Sequence, residues 1–212
     1  METSIAAPSP NQYPVTFSVD YPERQLNRLT SFFRIFTVIP IAIVLELLPG
    51  SSIGNYGSTI AVTAGSIVFV PTVLMILFRR KYPRWWFDWN LELTRFSNRV
   101  GVYLLLMDDE YPSTDEHQAV HLDFPYPDVE RLERGLPLVK WLLAIPHYFV
   151  LAFLYLGAFF AVIGAWFAIL FTGRYPRGIF SFVEGTIRWG NRVNGYAFTL
   201  VTDQYPPFRL KP

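Results

Sequence analysis

The chain has 212 residues, of which 51% are hydrophobic and only 17% charged, and its mean hydropathy of +0.25 is too apolar for an ordinary water-soluble domain of this length. Eighteen Lys and Arg against seventeen Asp and Glu leave a net charge of +1, which is uninformative as a total; no nucleic-acid partner is expected. Cysteine is absent, so disulfides, thiolate metal sites and thiol redox chemistry are excluded, and a membrane is the expected solvent.

Residues 1–12, rich in Ser, Pro and Ala, read as a disordered tail, and no cleaved signal peptide is expected, since the first apolar run starts at Ser31. Residues 15–19 alternate apolar and polar and predict a short strand ended by Tyr21-Pro22. Arg24, Arg28 and Arg34 then lead into a first predicted span at about 31–48, interrupted only by Pro40. A charge-free turn-rich loop at 48–58 separates it from a second span at 60–78. The basic cluster Arg79-Arg80-Lys81-Tyr82-Pro83-Arg84 opens an amphipathic helix over 84–99. That helix is expected to lie flat at the membrane surface, with Trp85, Trp86 and Trp89 at headgroup level and Arg84, Arg95 and Arg99 on the opposite stripe. Residues 102–107 read as a strand.

Much of this order recurs. Tyr82, Pro83, Arg84, Phe87, Arg95, Asn98, Arg99, Val100 and Tyr103 match Tyr175, Pro176, Arg177, Phe180, Arg188, Asn191, Arg192, Val193 and Tyr196, each 93 positions later. Upstream, Val15, Phe17, Tyr21, Arg28 and Pro40 match Val120, Leu122, Tyr126, Arg134 and Pro146 at offsets of 105 to 106. Two homologous halves follow, 13–112 and 118–212, joined by a connector at 113–117. By analogy with the first half, the apolar stretch 136–171 is read as a hairpin of two spans, about 138–156 and 158–172, turning near Gly157. A second interfacial helix is expected over 177–192, with Arg177, Arg188, Trp189 and Arg192 anchoring it, and a strand over 197–201.

The expected fold is therefore an α-helical integral membrane protein of four spans, two hairpins repeated in parallel, with interfacial amphipathic helices and a small cytoplasmic β-sheet. Basic residues (Arg24, Arg28, Arg34, Arg79, Arg80, Lys81, Arg84, Arg131, Arg134, Lys140, Arg174 and Arg177) then flank one end of all four spans. The positive-inside rule puts that side, with both termini, in the cytoplasm of a cell inner membrane. Arg34 and Lys140 are read as snorkelling to the interface, and Asp108-Asp109-Glu110 as a solvated linker.

The motifs Arg174-Tyr175-Pro176-Arg177, Arg188 to Val193 and Tyr205-Pro206-Pro207-Phe208 resemble those of a family of bacterial integral membrane proteins known only as a domain of unknown function. The resemblance extends over nearly the whole chain after the tail and implies no activity.

Candidate chemistry is sparse. His117 and His121 stand four apart beside acidic residues, but His121 falls in a predicted strand and surface histidines are expected, with no metal or other cofactor. Glu46 and His147 are the ionisable groups inside the predicted spans, and neither recurs in the other half. No phosphate-binding glycine loop or nucleophile motif is present, so the chain is read as non-enzymatic. Two functions compete. One is an accessory or scaffold subunit that packs against other membrane protein subunits, or a second copy of itself, through Gly157, Ala158, Ala161, Gly164 and Ala165. The other is binding of anionic phospholipids, or transport of lipid or a small solute, through the basic collar and tryptophans: Arg79, Arg80, Lys81, Arg84, Trp85, Trp86, Trp89 and Arg99 in the first half, Arg174, Arg177, Arg188, Trp189 and Arg192 in the second.

Overall fold

The computed structural model describes residues 13–47 and 60–212 apart from Asp115, Val129, Arg131 and Arg134; the side chains of Glu46, Leu47 and residues 60–68 are also outside the description. The predicted loop at 48–58, the tail and the Glu46 side chain therefore lie outside the described residues.

The elements in order are β1 (Thr16–Val19), α1 (Arg28–Phe32), α2 (Arg34–Leu47), α3 (Ile60–Arg79), α4 (Arg84–Leu104), β2 (Val120–Asp123), a single 3-10 turn (Leu136–Leu138), α5 (Lys140–Leu143), α6 (Ile145–Thr172) and α7 (Arg177–Ala197). The two strands form an antiparallel ladder in which Phe17 faces Leu122, with Thr16 opposite Asp123 and Val19 opposite Val120. Val15, Phe17, Val19 and Leu122 are buried, whereas Ser18, His121 and Asp123 point to solvent, as the alternation requires. The inner face packs on α4 and α7, and those helices in turn carry α2 and α6 on their far side. Three layers result: sheet, amphipathic helices, apolar helices.

Four features of the expected fold change. First, α6 runs unbroken through Gly157 for 28 residues, about 42 Å of helix, so the second half has no hairpin. Gly157 serves packing instead of turning: a Cβ there would lie 3.5 Å from the ring of Phe182 on α7. Second, α6 is the one helix long and apolar enough to cross a membrane among the described residues, and four spans are not found. The apolar parts of α2 and α3 are shorter, Arg34–Leu45 and Phe69–Arg79. Third, Lys140 and Arg174 lie beyond opposite ends of α6, so the basic residues cannot all flank one end of the spans. Fourth, residues 102–107 and 197–201 are not strands. The helices run on to Leu104 and Ala197, and the chain then turns through left-handed Leu106 (φ 64°) and Leu200 (φ 56°). Both leucines are buried, so side-chain burial offsets a backbone conformation costing about 1–2 kcal/mol.

Helix α7 also departs from an interfacial helix. It lies between β1 and α6, and Val183, Thr186, Arg188, Trp189, Asn191, Arg192 and Val193 are buried in turn around its circumference. Its amphipathic sequence reflects two protein partners, an apolar helix on one side and polar backbone on the other.

A set of contacts occurs twice, between residues equated by the offsets of the sequence. Asn98 and Asn191, 93 positions apart, exchange carboxamide hydrogen bonds of 3.0 and 2.8 Å where α4 crosses α7. The Tyr21 hydroxyl donates to the Tyr175 carbonyl and that of Tyr126 to the Tyr82 carbonyl, both at 2.5 Å. Arg188 Nε donates to the Phe17 carbonyl at 2.7 Å and Arg95 Nε to that of Leu122 at 2.8 Å, so α7 braces β1 and α4 braces β2.

Candidate functional site

Basic and aromatic side chains divide into an outward set and an inward set. Helix α3 ends at Arg79, and Arg80 takes a left-handed conformation (φ 46°) that redirects the chain through Lys81 and Tyr82 to Pro83, which precedes α4. Arg79, Arg80, Lys81, Arg84 and Trp85 are exposed, and Arg84 lies 3.8 Å from Asp88 and over the ring of Tyr126. Trp86 stacks on Trp89 with ring centroids 5.3 Å apart, and its indole donates to Thr72 on α3 at 2.8 Å. At the equivalent corner Arg174 and Arg177 are exposed, Arg177 over Tyr21 at 4.8 Å, while Arg28 approaches Gly173, the left-handed cap of α6. Cations beside a helix C-terminus are favoured by its partial negative charge.

The inward set is turned onto other protein groups, although Arg99 Nε, Arg192 Nε and His147 Nε2 have no partner among the described residues. Arg188 bonds the Phe17 and Leu210 carbonyls and pairs with Glu184, and Arg192 bonds the Arg209 and Lys211 carbonyls. Burial, then the nearby Arg209 and Arg188, pulls the Arg192 guanidinium down to about 10. Arg99, half-buried, donates to the Ser113 carbonyl at 2.7 Å. Trp189 is buried, and its indole donates to His147 Nδ1 at 3.0 Å. The His147 ring, fully buried, also stacks on Phe208 with centroids 4.0 Å apart. An indole can only donate, so His147 Nδ1 accepts. The Tyr-Pro-Pro-Phe motif thereby closes over the start of α6, and the Tyr205 hydroxyl adds a bond to the Leu143 carbonyl.

Arg34 and Lys140 do not snorkel. Arg34 is 2% exposed and pairs with Asp109 at 2.5 Å, donates to the Asp108 carbonyl at 2.9 Å and lies over Tyr103 at 3.9 Å. Lys140 is 1% exposed and does the same at the other corner: Asp203 at 2.7 Å, the Thr202 carbonyl at 2.6 Å, the Tyr196 ring at 5.1 Å. Burial lowers the Lys140 ammonium from its usual range, and Asp203 opposes the shift. The acidic run 108–110 is thus no free linker, since Asp108 also pairs with Arg24 at 2.7 Å.

Residues 137–209 match the family model described as a domain of unknown function, DUF4389. The resemblance expected over nearly the whole chain is found over this segment. No curated protein and no solved structure matches the chain. The matched segment contains Lys140, His147, α6, the Arg174–Arg177 corner, α7 and the Tyr-Pro-Pro-Phe motif, and leaves out the exposed Arg79-to-Trp85 corner.

Buried phenols supply a pH prediction. Tyr82 donates to the Thr199 carbonyl at 2.8 Å, Tyr13 to that of Gln204 at 3.0 Å, and the Tyr175 hydroxyl has no partner among the described residues. Burial raises all three above the usual tyrosine range. A folded-state value above the unfolded one leaves stability intact below about pH 10 and removes it as pH climbs beyond that. Alkaline titration followed at the tyrosinate absorbance is expected to show these phenols ionising together with loss of helical circular dichroism, and not before it.

Proposed function

We propose that this protein is a non-enzymatic, membrane-embedded protein that binds anionic phospholipids through the exposed corners Arg79-Arg80-Lys81-Arg84 and Arg174-Arg177. The observation that carries this reading is the juxtaposition of exposed basic residues with exposed large apolar ones at the same helix ends: Phe78 and Trp85 beside the first corner, Phe171 beside the second. In water such apolar exposure is costly, and at a bilayer surface guanidinium groups above acyl chains meet lipid phosphates. Along α6 the exposed residues include Phe149, Phe153, Phe159, Phe160 and Phe167, a continuous supply of lipid-facing surface. We read the two halves as a duplicated unit in parallel orientation; the twice-occurring contacts at Asn98 and Asn191 and at Tyr21 and Tyr126 support this. The positive-inside tendency favours a cytoplasmic location for both corners in a cell inner membrane.

The scaffold-subunit reading is less favoured because part of its helix-packing stripe is covered within the chain, although Gly164 stays exposed. Ala158 and Ala165 are buried, and Gly157 and Gly164 lie against Phe182 and Ile179 of α7. Replacing Arg79, Arg80 and Lys81 together by Gln tests the proposal. The enrichment of phosphatidylglycerol over phosphatidylcholine among the lipids that co-purify with the protein in mild detergent at low salt is expected to fall, at about 1 kcal/mol per removed charge. Unchanged binding by the variant, or a stoichiometric protein partner that displaces lipid from this corner, would turn the reading back towards a subunit of a larger complex.

A further inference from the structure

Four cationic side chains are buried among the described residues: Arg34, Lys140, Arg188 and Arg192. Three of them carry a carboxylate, Asp109, Asp203 and Glu184 in turn. Arg192 does not. It is 2% exposed, and its hydrogen bonds among the described residues go to neutral groups, the Arg209 carbonyl at 3.2 Å and the Lys211 carbonyl at 3.0 Å. The charged neighbours that act on it are themselves cations, Arg209 and Arg188. A guanidinium withdrawn from water without a counter-ion is costly to keep, so this position calls for negative charge from outside the chain.

A cavity of about 180 Å³ adjoins it, lined by Arg188 and Arg192 of α7, Thr16 and Ser18 of β1, Tyr13 and Pro212, and by no Asp or Glu side chain. Its donors outnumber its acceptors. Arg188 spends Nε on the Phe17 carbonyl, Nη1 on the Leu210 carbonyl and Nη2 on Glu184. Arg192 spends Nη1 and Nη2 on the two C-terminal carbonyls, while its Nε is sealed away from any ligand. Each Nη bears two hydrogens, so one N–H is left on each of the four. The Thr16 and Ser18 hydroxyls can donate as well. Glu184 offers no spare charge, because the oxygen that meets Arg188 also accepts from the Val19 amide at 3.3 Å.

We propose that this cavity binds one phosphate group, held by the remaining Nη hydrogens of Arg188 and Arg192. Two guanidinium forks and two hydroxyls suit the several oxygens of a phosphate better than the two of a carboxylate. The volume is below the roughly 300–1,000 Å³ of sites that enclose a drug-sized ligand, so the phosphate end alone is enclosed. The place in the fold is compatible with a charged ligand. Trp189 meets His147 at the start of α6, thirteen residues from Phe160 or about 20 Å along the helix, and Arg192 lies a turn further on. The cavity is on the β1 side of α7, with α6 on the other. It is also fifteen residues, about 22 Å, along α7 from the exposed Arg177, so the proposal does not rest on lipid binding at the corners.

Equilibrium dialysis of the full chain in dodecyl maltoside tests it, with chloride holding the ionic strength constant. The probes are radiolabelled inorganic phosphate and, separately, glycerophosphoglycerol, the deacylated headgroup of phosphatidylglycerol. Saturable binding of at least one probe at one site per chain is expected; phosphate alone would identify a free ion, and glycerophosphoglycerol a lipid headgroup. Arg192→Met is expected to weaken binding at least tenfold. Because that change can also release residues 209–211, Arg192→Lys is measured beside it: it keeps the charge, loses the fork, and is expected to bind at least threefold more weakly with unchanged circular dichroism. The variant with Arg79, Arg80 and Lys81 replaced by Gln is expected to bind phosphate as the parent does, which separates this site from the corners. Failure of both probes to saturate, full binding by either Arg192 variant, or loss of binding in the corner variant would overturn the proposal.

Discussion

Arg34→Met is expected to destabilise the protein by about 3–5 kcal/mol, because it leaves the Asp109 carboxylate buried at 7% side-chain exposure with its cation gone. Lys140→Met acts in the same way on Asp203, and with a smaller loss, since that carboxylate retains 24% exposure. The carboxylates do not become wholly unpartnered: Asp109 still accepts from the Asn27 amide and Asp203 from the Glu133 amide. Those amides explain why the double variants are informative. Arg34→Met with Asp109→Leu is expected to recover more than half of the loss, the remainder being the bond to Asn27. Thermal or denaturant unfolding in detergent, arranged as a double-mutant cycle, gives the coupling directly. Additive losses would mean that the pair contributes no more than two independent side chains.

The second large effect concerns α6. Phe159 and Phe160 lie near its midpoint and are 58% and 62% exposed. Replacing both by Lys places two ammonium groups in the hydrocarbon, at about 2.5–3.5 kcal/mol each on insertion-derived scales, so roughly 5–7 kcal/mol in total. The doubly substituted chain is expected to leave the carbonate-resistant membrane fraction. The same changes on a water-facing helix would improve solubility and leave folding untouched, so the two outcomes separate cleanly.

Some of this architecture was readable from residues alone, and the failures have physical causes. The strand around Phe17 and the strand around Leu122 were legible because each buries one face only, which writes period two into the sequence. Pro83 and Pro176 marked the starts of α4 and α7, since proline fits before or at the first turn and not later. The ends of those helices were misread because Val102 to Met107 and Ala197 to Val201 are nearly all apolar, Leu104 included although it is exposed, and a continuous apolar run carries no period. Gly157 looked like a turn, and only the ring of Phe182 beside it reveals why a glycine is there.

The charged residues were harder. Arg188 and Arg192 sit on the polar stripe of α7, which at the sequence level is indistinguishable from a headgroup-facing stripe. What decides their direction is that β1 and the C-terminal residues 209–211 present backbone carbonyls to that stripe, and carbonyls leave no mark on side-chain patterning. The acidic partners of Arg34 and Lys140 lie 75 and 63 positions away along the chain, beyond any local motif.

The most direct test of the account is the depth of α6 in a bilayer. The chain has no cysteine, so single nitroxide labels can be placed at Phe153, Phe160 and Phe167 without background substitutions. In reconstituted vesicles the account predicts high collision with oxygen and low collision with a water-soluble nickel chelate at all three positions, with the greatest depth near Phe160. Strong nickel collision at Phe160 would place that face of α6 in water and contradict the membrane-embedded reading on which the lipid-binding proposal stands.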